Sequence, residues 1–375
     1  MSFKQAICIR GGKQLEGEIT VQGAKNSALP ILAAALLCKT QVTLYNCPRL
    51  TDCDAAMRIL TTLGCNCRRE GNCVTINPSV ITGTAIPAAL MREMRSSVIF
   101  SGALIGREKA CRLSLPGGCE IGARPIDFHL AAFRKMGTEI TDEHRYLDCR
   151  TNKLCGAVIR LPLASVGATE NIMLAAVLAD GVTEIHNAAR EPEIVDLARF
   201  LTKCGAKISG AGSGLVVIEG VKELYGCDYS IMPDRIAAAT YLCCGAITRG
   251  EIMLSKADIR SAEPFLSVLE QMGCSVYSFG EDSVYMNARK KLKAPSVIRT
   301  AVHPGFPTDA QPVLMAALLR SRGATMLVEN IFESRYAQVA ELTRMGADIR
   351  LEGKVALVSG VERLYGAEVH ATDLR

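Results

Sequence analysis

The sequence predicts an α/β protein assembled from an internal repeat, and three recurring features carry that prediction. A glycine follows a helical pattern at Leu63-Gly64-Cys65, Met136-Gly137-Thr138, Cys204-Gly205-Ala206, Met272-Gly273-Cys274 and Met345-Gly346-Ala347, in steps of 73, 68, 68 and 73 residues. A capped, Ala/Leu-rich helix begins once in each repeat, and short β-branched or alternating runs lie between these anchors. A fixed period of this kind marks a repeat architecture, and alternation of strand and helix patterns marks the α/β class.

Each element has its own local reason. The helix starts are Gly23-Ala24-Lys25-Asn26-Ser27, Met94-Arg95-Ser96-Ser97, Val166-Gly167-Ala168-Thr169, Pro233-Asp234-Arg235 and Pro307-Thr308-Asp309. A sixth start, Ala371-Thr372-Asp373-Leu374-Arg375, stands at the C-terminus, so the last unit is expected to stop almost as it begins. Capping residues precede apolar stretches such as Ala28 to Leu37, Asn171 to Ala179, Ala237 to Ile247 and Val313 to Leu319, a helical pattern apolar on more than one face and therefore buried. The repeated glycines read as left-handed residues that end helices before a strand. Val42 to Tyr45, Val74 to Ile76, Thr183 to His186, Leu215 to Ile218, Glu251 to Leu254, Thr325 to Val328 and Ala356 to Val358 read as strands, being β-branched or alternating and bounded by turn residues.

The chain of 375 residues is 49% hydrophobic and 22% charged, long enough for two sizeable cores. Its longest apolar runs, such as Ile31 to Cys38, are far short of the ~18 residues of a membrane span, and its first residues lack the apolar region of a signal peptide. A cytoplasmic protein is expected. Sixteen cysteines without a Cys-x-x-Cys pair suit reduced thiols. Cys65, Cys67 and Cys73 cluster but lack the paired spacing and nearby histidine of a zinc site. A net charge of +5 without basic tracts, and without Trp, argues against nucleic acid as a partner and fits a small acidic ligand better.

The segment Pro116-Gly117-Gly118-Cys119-Glu120-Ile121-Gly122-Ala123-Arg124-Pro125-Ile126-Asp127 puts a thiol, a guanidinium and a carboxylate on one glycine-rich stretch. Glycines let backbone N–H groups approach an anion, and a nearby arginine can lower a thiol pKa or hold an anion beside the sulfur. An ordinary glycine-rich turn with a packed cysteine has the same composition. Lys25, Arg95, Arg235 and Arg375 recur at helix starts, where the positive helix end favours anions. Singly, each could be a solvated charge or a surface ion-pair partner.

Lys25-Asn26, the Cys119 to Asp127 segment, Ala189-Arg190-Glu191-Pro192-Glu193-Ile194-Val195-Asp196, Pro233-Asp234-Arg235-Ile236 and Phe306-Pro307-Thr308-Asp309 together resemble the UDP-N-acetylglucosamine 1-carboxyvinyltransferase family, enolpyruvyl transferases that open peptidoglycan precursor synthesis. The resemblance runs from near the N-terminus to Arg375 and is specific in order and spacing. It implies an inside-out α/β barrel of two similar lobes, each of three βαβ-type units with helices inside and sheets outside. One lobe would be residues 21–232, the other 1–20 plus 233–375, with substrates in the cleft between them.

The reaction implied moves the enolpyruvyl group of phosphoenolpyruvate to the 3′-hydroxyl of UDP-N-acetylglucosamine and releases phosphate, with no metal or organic cofactor. By the resemblance, Cys119 is the acid that protonates the methylene carbon and the thiol that fosfomycin traps, and Asp309 assists deprotonation of the sugar hydroxyl. Lys25, Asn26 and Arg124 hold phosphoenolpyruvate. Arg95, Arg124, Pro125, Ile126, Asp127, Phe128, Ser165, Val166, Gly167, Asp309 and Ile331 hold the nucleotide sugar, and Arg335 and Arg375 sit at family-like positions.

Three departures bear on activity. The family continues past Arg375 through a further unit, so a truncated second lobe is expected; Leu163 stands where a lysine is usual, and Ala237 where an acid is usual. A competing function is therefore a catalytically impaired nucleotide-sugar-binding homologue. A third, the sister enzyme acting on shikimate 3-phosphate, does not use a Pro-Gly-Gly-Cys segment.

Overall fold

The computed structural model describes residues 6–114, 126–143 and 146–371. The chain divides into two compact units, one of Gln22–Asp234 with Val302–Pro304, the other of Met1–Val21, Arg235–Ala301 and Gly305–Arg375.

The repeat read from glycine spacing is a repeat of helix ends. Helices Thr51–Thr62, Asp127–Lys135, Pro192–Lys203, Ile259–Gln271 and Gln338–Arg344 each stop two residues before one of the five glycines, whose φ values run from 92° to 109°. In every copy the N–H after the glycine turns back to a carbonyl five residues earlier: Cys65 to Leu60 at 3.0 Å, Thr138 to Phe133 at 2.9 Å, Ala206 to Leu201 at 2.9 Å, Cys274 to Leu269 at 3.0 Å and Ala347 to Leu342 at 3.1 Å. This is the Schellman cap, which satisfies the last carbonyls and redirects the chain into the following strand.

Two kinds of helix alternate, with the short Ala88–Glu93 standing outside the pattern. The first kind is buried nearly all round: Lys25–Ala35, Phe100–Glu108 and Val166–Ala176 in the Gln22–Asp234 unit, and Arg235–Thr248 and Gln311–Leu318 in the other. Every residue from Ser27 to Ala35 is buried, as expected of a helix without a polar face. The Phe100–Glu108 helix packs against both of its counterparts in its unit. The second kind is amphipathic; Pro192–Lys203 starts on a proline and buries Ile194, Leu197, Ala198 and Leu201 together with Glu193 and Asp196, leaving Arg199, Thr202 and Lys203 to water.

The strands are half-buried and alternate, as in Val42–Tyr45 and Leu215–Glu219, so each sheet lays one face on the helices. Three four-stranded sheets belong to the Gln22–Asp234 unit. In strand order they are Asp228–Ser230, Val42–Tyr45, Cys73–Asn77, Asn66–Glu70; then Ala85–Ile86, Ala110–Ser114, Tyr146–Arg150, Glu139–Glu143; and Val158–Arg160, Val182–His186, Leu215–Glu219, Lys207–Ser209. The other unit carries Glu16–Thr20, Glu251–Ser255, Ser283–Asn287, Ser275–Phe279 and Val297–Arg299, Ala324–Val328, Val355–Ser359, Asp348–Glu352. Each sheet is mixed, one parallel pair followed by antiparallel neighbours.

The expected inside-out barrel is corrected by this topology. Among the described residues all five sheets are open, four strands wide, with two free edges each, and none closes on itself. Four strands are too few to wrap a packed interior, which small barrels achieve with about eight; what fails is closure, for helices do lie in the cores with the sheets against them. The βαβ reading also holds for only three sheets. In the other two the parallel edge strand comes from far along the chain: Asp228–Ser230 pairs with Val42–Tyr45, and Glu16–Thr20 with Glu251–Ser255.

Candidate functional site

Within the Gln22–Asp234 unit, Lys25 and Asn26 open the buried helix Lys25–Ala35. The approach to that helix is tight, because a Cβ on Gly23 would lie 1.8 Å from the Asn46 carbonyl oxygen. Only glycine lets these backbones meet. Asn46 in turn donates its side-chain amide to the Ile231 carbonyl at 2.9 Å. Ala24 N–H donates to Met232 at 2.8 Å, and Lys25 N–H to the Asp234 carboxylate at 3.2 Å. The buried Asp234 therefore caps the first helical turn from outside the helix. The Lys25 ammonium lies 3.2 Å from Asp52, on the first turn of Thr51–Thr62, with the two side chains 17% and 30% exposed. A partly desolvated ammonium at a helix N-terminus is suited to bind an anion.

A second group forms where Ser165 caps helix Val166–Ala176, its hydroxyl accepting the Ala168 N–H at 3.3 Å. Beneath it lies His129, buried on the helix that begins at Asp127; its ring carbon Cε1 would be 3.5 Å from a Cβ on Gly167. Asn171 holds the ring. Its carbonyl oxygen accepts Gly102 N–H at 2.7 Å, which fixes the amide so that Nδ2 donates to His129 Nδ1 at 2.8 Å. The proton of the neutral imidazole then sits on Nε2, and burial holds the ring neutral by lowering its pKa to about 4. Asp127 is exposed on the first turn, Phe128 and Ile126 are half-buried, and Leu163 is 67% exposed two residues before Ser165. Arg95 begins a short 3-10 helix, Arg95–Ile99, that leads into Phe100–Glu108.

In the other unit, Asp309 lies on the 3-10 turn Thr308–Ala310 that runs directly into Gln311–Leu318. Arg335 donates to its carboxylate at 3.1 Å; the helix cap position itself is Ala310, so Asp309 is held as an ion-pair partner rather than as a side-chain cap. Glu329, fully buried, organises this turn. One of its oxygens accepts Thr308 Oγ1 at 2.9 Å; the other accepts Thr300 Oγ1 at 2.9 Å, Ile331 N–H at 2.8 Å and Phe332 N–H at 3.1 Å. Four donors compensate the desolvation of a buried carboxylate and bring the Asp309 turn and Ile331 onto one scaffold.

The structure thus puts Lys25 and Asn26 on one turn, packs the helix that begins Asp127-Phe128 against the helix that Ser165, Val166 and Gly167 open, and joins Asp309 with Ile331 and Arg335. Cys119, Arg124, Pro125 and Arg375 lie outside the described residues. Sequence reasoning missed Asp52, His129 and Glu329, whose roles depend on partners distant in sequence. Among the described residues the cysteines are free thiols, no group of three or more His, Cys, Asp or Glu could hold a metal ion, and no helix is long and apolar enough to cross a membrane.

Known proteins match nearly the whole chain. Residues 9–375 match the family model described as EPSP synthase (3-phosphoshikimate 1-carboxyvinyltransferase). The chain is 48% identical over 367 residues to UDP-N-acetylglucosamine 1-carboxyvinyltransferase 2 of Caldanaerobacter subterraneus, covering 98% of this chain and 88% of the relative. It is 45% identical over 369 residues to the UDP-N-acetylglucosamine 1-carboxyvinyltransferase of Nitratidesulfovibrio vulgaris, with the same coverage of 98% and 88%. The solved enolpyruvyl transferase NikO of Streptomyces tendae superposes with a TM-score of 0.84 at 23% identity, over 94% of this chain and 83% of that one. EPSP synthase of Acinetobacter baumannii does so with a TM-score of 0.72 at 18% identity, over 96% and 86%. The two structures speak to the fold; the relatives at 45% and 48% identity set the family, and the chain belongs to the UDP-N-acetylglucosamine 1-carboxyvinyltransferases, a family of enolpyruvyl transferases.

Proposed function

We propose that this chain transfers the enolpyruvyl group of phosphoenolpyruvate to the 3′-hydroxyl of UDP-N-acetylglucosamine and releases inorganic phosphate. The observation that carries the reading is the Asp309 turn: a carboxylate at the start of a buried helix, oriented by Arg335 at 3.1 Å and seated on Glu329. A carboxylate so fixed is suited to accept the proton of a sugar hydroxyl. In the addition step the hydroxyl oxygen bonds to C2 of phosphoenolpyruvate, Asp309 takes the hydroxyl proton, and the Cys119 thiol gives a proton to the C3 methylene. In the elimination step C3 returns a proton, the double bond re-forms, and phosphate leaves from C2.

Lys25, with Asn26 and the N-terminus of helix Lys25–Ala35, receives the phosphate, and Arg124 adds a bidentate donor. Stabilising charge that collects on the phosphate as it leaves is work these cations do without moving. Ser165, Val166 and Gly167, with Arg95, Pro125, Ile126, Asp127, Phe128 and Ile331, take the nucleotide sugar. The chain carries Pro116-Gly117-Gly118-Cys119, which favours UDP-N-acetylglucosamine over shikimate 3-phosphate as the acceptor.

The test is phosphate release from phosphoenolpyruvate with and without each acceptor. Release that requires UDP-N-acetylglucosamine supports the proposal, and release that requires shikimate 3-phosphate overturns it. Calorimetric binding of UDP-N-acetylglucosamine without release would support a nucleotide-sugar-binding protein instead. Fosfomycin should label the chain, and Cys119→Ala should abolish the label.

A further inference from the structure

Asp196 lies on helix Pro192–Lys203 and is 4% exposed. Its carboxylate ties its own helix to two segments distant in sequence, one at Ser27 and one at Tyr229 to Met232. Tyr229 Oη donates to Oδ1 at 2.6 Å, Met232 N–H donates to Oδ2 at 3.2 Å, and the Ser27 hydroxyl donates to the same Oδ2. Tyr229 Oη also reaches the Asp196 carbonyl oxygen at 3.1 Å.

These partners flank the turn that carries Lys25. Ser27 is two residues beyond Lys25 on the same helix. Met232 supplies the carbonyl that takes Ala24 N–H at 2.8 Å, and Asp234, two residues on, takes Lys25 N–H at 3.2 Å. One buried carboxylate therefore holds the helix start and the strand exit that caps it in a fixed relation. Packing alone already joins the Asp196 helix to both: Phe200 and Tyr229 meet edge to face with centroids 5.4 Å apart, and helix Pro192–Lys203 lies against Lys25–Ala35. A charge that adds desolvation cost to an existing apolar contact is explained by the direction it imposes rather than by stability.

We propose that Asp196 is a positioning residue for phosphoenolpyruvate capture, setting the aim of Lys25 and Asn26 without touching substrate. The proposal rests on the reading of Lys25 and Asn26 as phosphoenolpyruvate contacts. Displacing an oriented binding group by about 1 Å is enough to cost two orders of magnitude in rate, so the effect should fall on one substrate rather than both.

Two readouts on the full chain test it, each comparing wild type with Asp196→Ala and Asp196→Asn. In steady-state phosphate release, Asp196→Ala should raise KM for phosphoenolpyruvate at least about tenfold and move KM for UDP-N-acetylglucosamine less than about threefold. Asp196→Asn should restore most of the loss, since its amide oxygen can still accept Met232 N–H and the Ser27 hydroxyl while its NH2 donates to Tyr229. In peptide-level hydrogen exchange, Asp196→Ala should speed exchange over residues 24–30 about tenfold and leave residues 100–108 unchanged. Both KM values rising together with faster exchange throughout would mean a plain structural brace and overturn the proposal, as would unchanged exchange over 24–30. If wild type itself releases no phosphate with either acceptor, the functional reading fails. Exchange then decides the positioning alone: acceleration confined to 24–30 sustains it.

Discussion

Arg335 Nη2 lies 3.1 Å from Asp309 Oδ1, and the arginine side chain is 1% exposed while the aspartate is 27% exposed. A fully buried guanidinium holds the one carboxylate that the proposed chemistry needs to orient. Arg335→Lys keeps a charge but loses the planar fork that sets the direction. It is expected to lower kcat by about 10²-fold in the phosphate-release assay, through misplacement of Asp309. Loss confined to KM for phosphoenolpyruvate, with kcat preserved, would contradict this role.

Glu329 supports the same turn from below. Replacing it with Gln leaves one acceptor oxygen and puts an NH2 group among four donors, those of Thr300, Thr308, Ile331 and Phe332. Unsatisfied buried donors cost about 1–3 kcal/mol each, so Glu329→Gln should lower Tm by several degrees and reduce turnover together. Thr308→Ala removes one of the four bonds and should show a smaller fraction of both effects. Thermal unfolding alongside kinetics checks the ordering; a Thr308→Ala variant less stable than Glu329→Gln would refute it.

What was legible in the sequence was local. The five glycines announced Schellman caps because a left-handed residue after a helix leaves its mark in the residue type itself, and Val42 to Tyr45 announced a strand by its own alternation. The edge strands Glu16–Thr20 and Asp228–Ser230 left no comparable trace, since neither carries a run of β-branched or apolar residues and each pairs with a partner more than 180 residues away. The barrel expectation came from family resemblance and gave way because closure belongs to the pairing of edges, which no local pattern encodes. Lys25, Asp309 and Ser165 stood out as helix starts. Glu329 did not, and Asp196 stood only as the end of a family-like segment with no role, because a buried carboxylate and a solvated one are the same letter until their donors arrive from elsewhere in the fold.

Gly23 is the sharpest steric constraint near Lys25. A Cβ there would lie 1.8 Å from the Asn46 carbonyl oxygen, 3.0 Å from its carbonyl carbon and 3.2 Å from its side-chain nitrogen. Backbone cannot yield as a flexible side chain can, so Gly23→Ala must shift the segment before the helix, at about 1–3 kcal/mol. Tm should fall by about 2–10 °C for a chain unit of this size, and KM for phosphoenolpyruvate should rise with it. An alanine variant with unchanged Tm would show that the two backbones can part without cost.

His129 makes the Gln22–Asp234 unit sensitive to acid. Burial lowers its pKa to about 4, whereas an unfolded histidine titrates near 6.5. The unfolded state thus binds the extra proton first. The contribution is complete above about pH 6.5 and is lost as pH falls toward 4, to a limit of about 3 kcal/mol. Asn can offer an acceptor near the Nδ1 position without titrating, so His129→Asn should flatten the pH dependence of urea-unfolding free energy between pH 6.5 and 4.5. An equal slope in wild type and variant would assign the acid sensitivity to other groups.

Glu170 acts in the opposite direction. It is buried on helix Val166–Ala176, and its pKa is pushed well above the ordinary carboxylate range, first by burial and then by the charges of Glu193 and Glu191. Here the folded state keeps a proton that the unfolded state gives up near pH 4.3. Its contribution is therefore full below that pH and shrinks as pH rises toward the elevated folded value. Glu170→Gln removes the titration while keeping the shape of the protonated side chain. The variant should gain stability over wild type at pH 8 and gain much less at pH 5, read as the difference in Tm at the two pH values. A gain that is flat or larger at pH 5 would mean that Glu170 is ionised in the folded protein, with a charge partner strong enough to outweigh its burial.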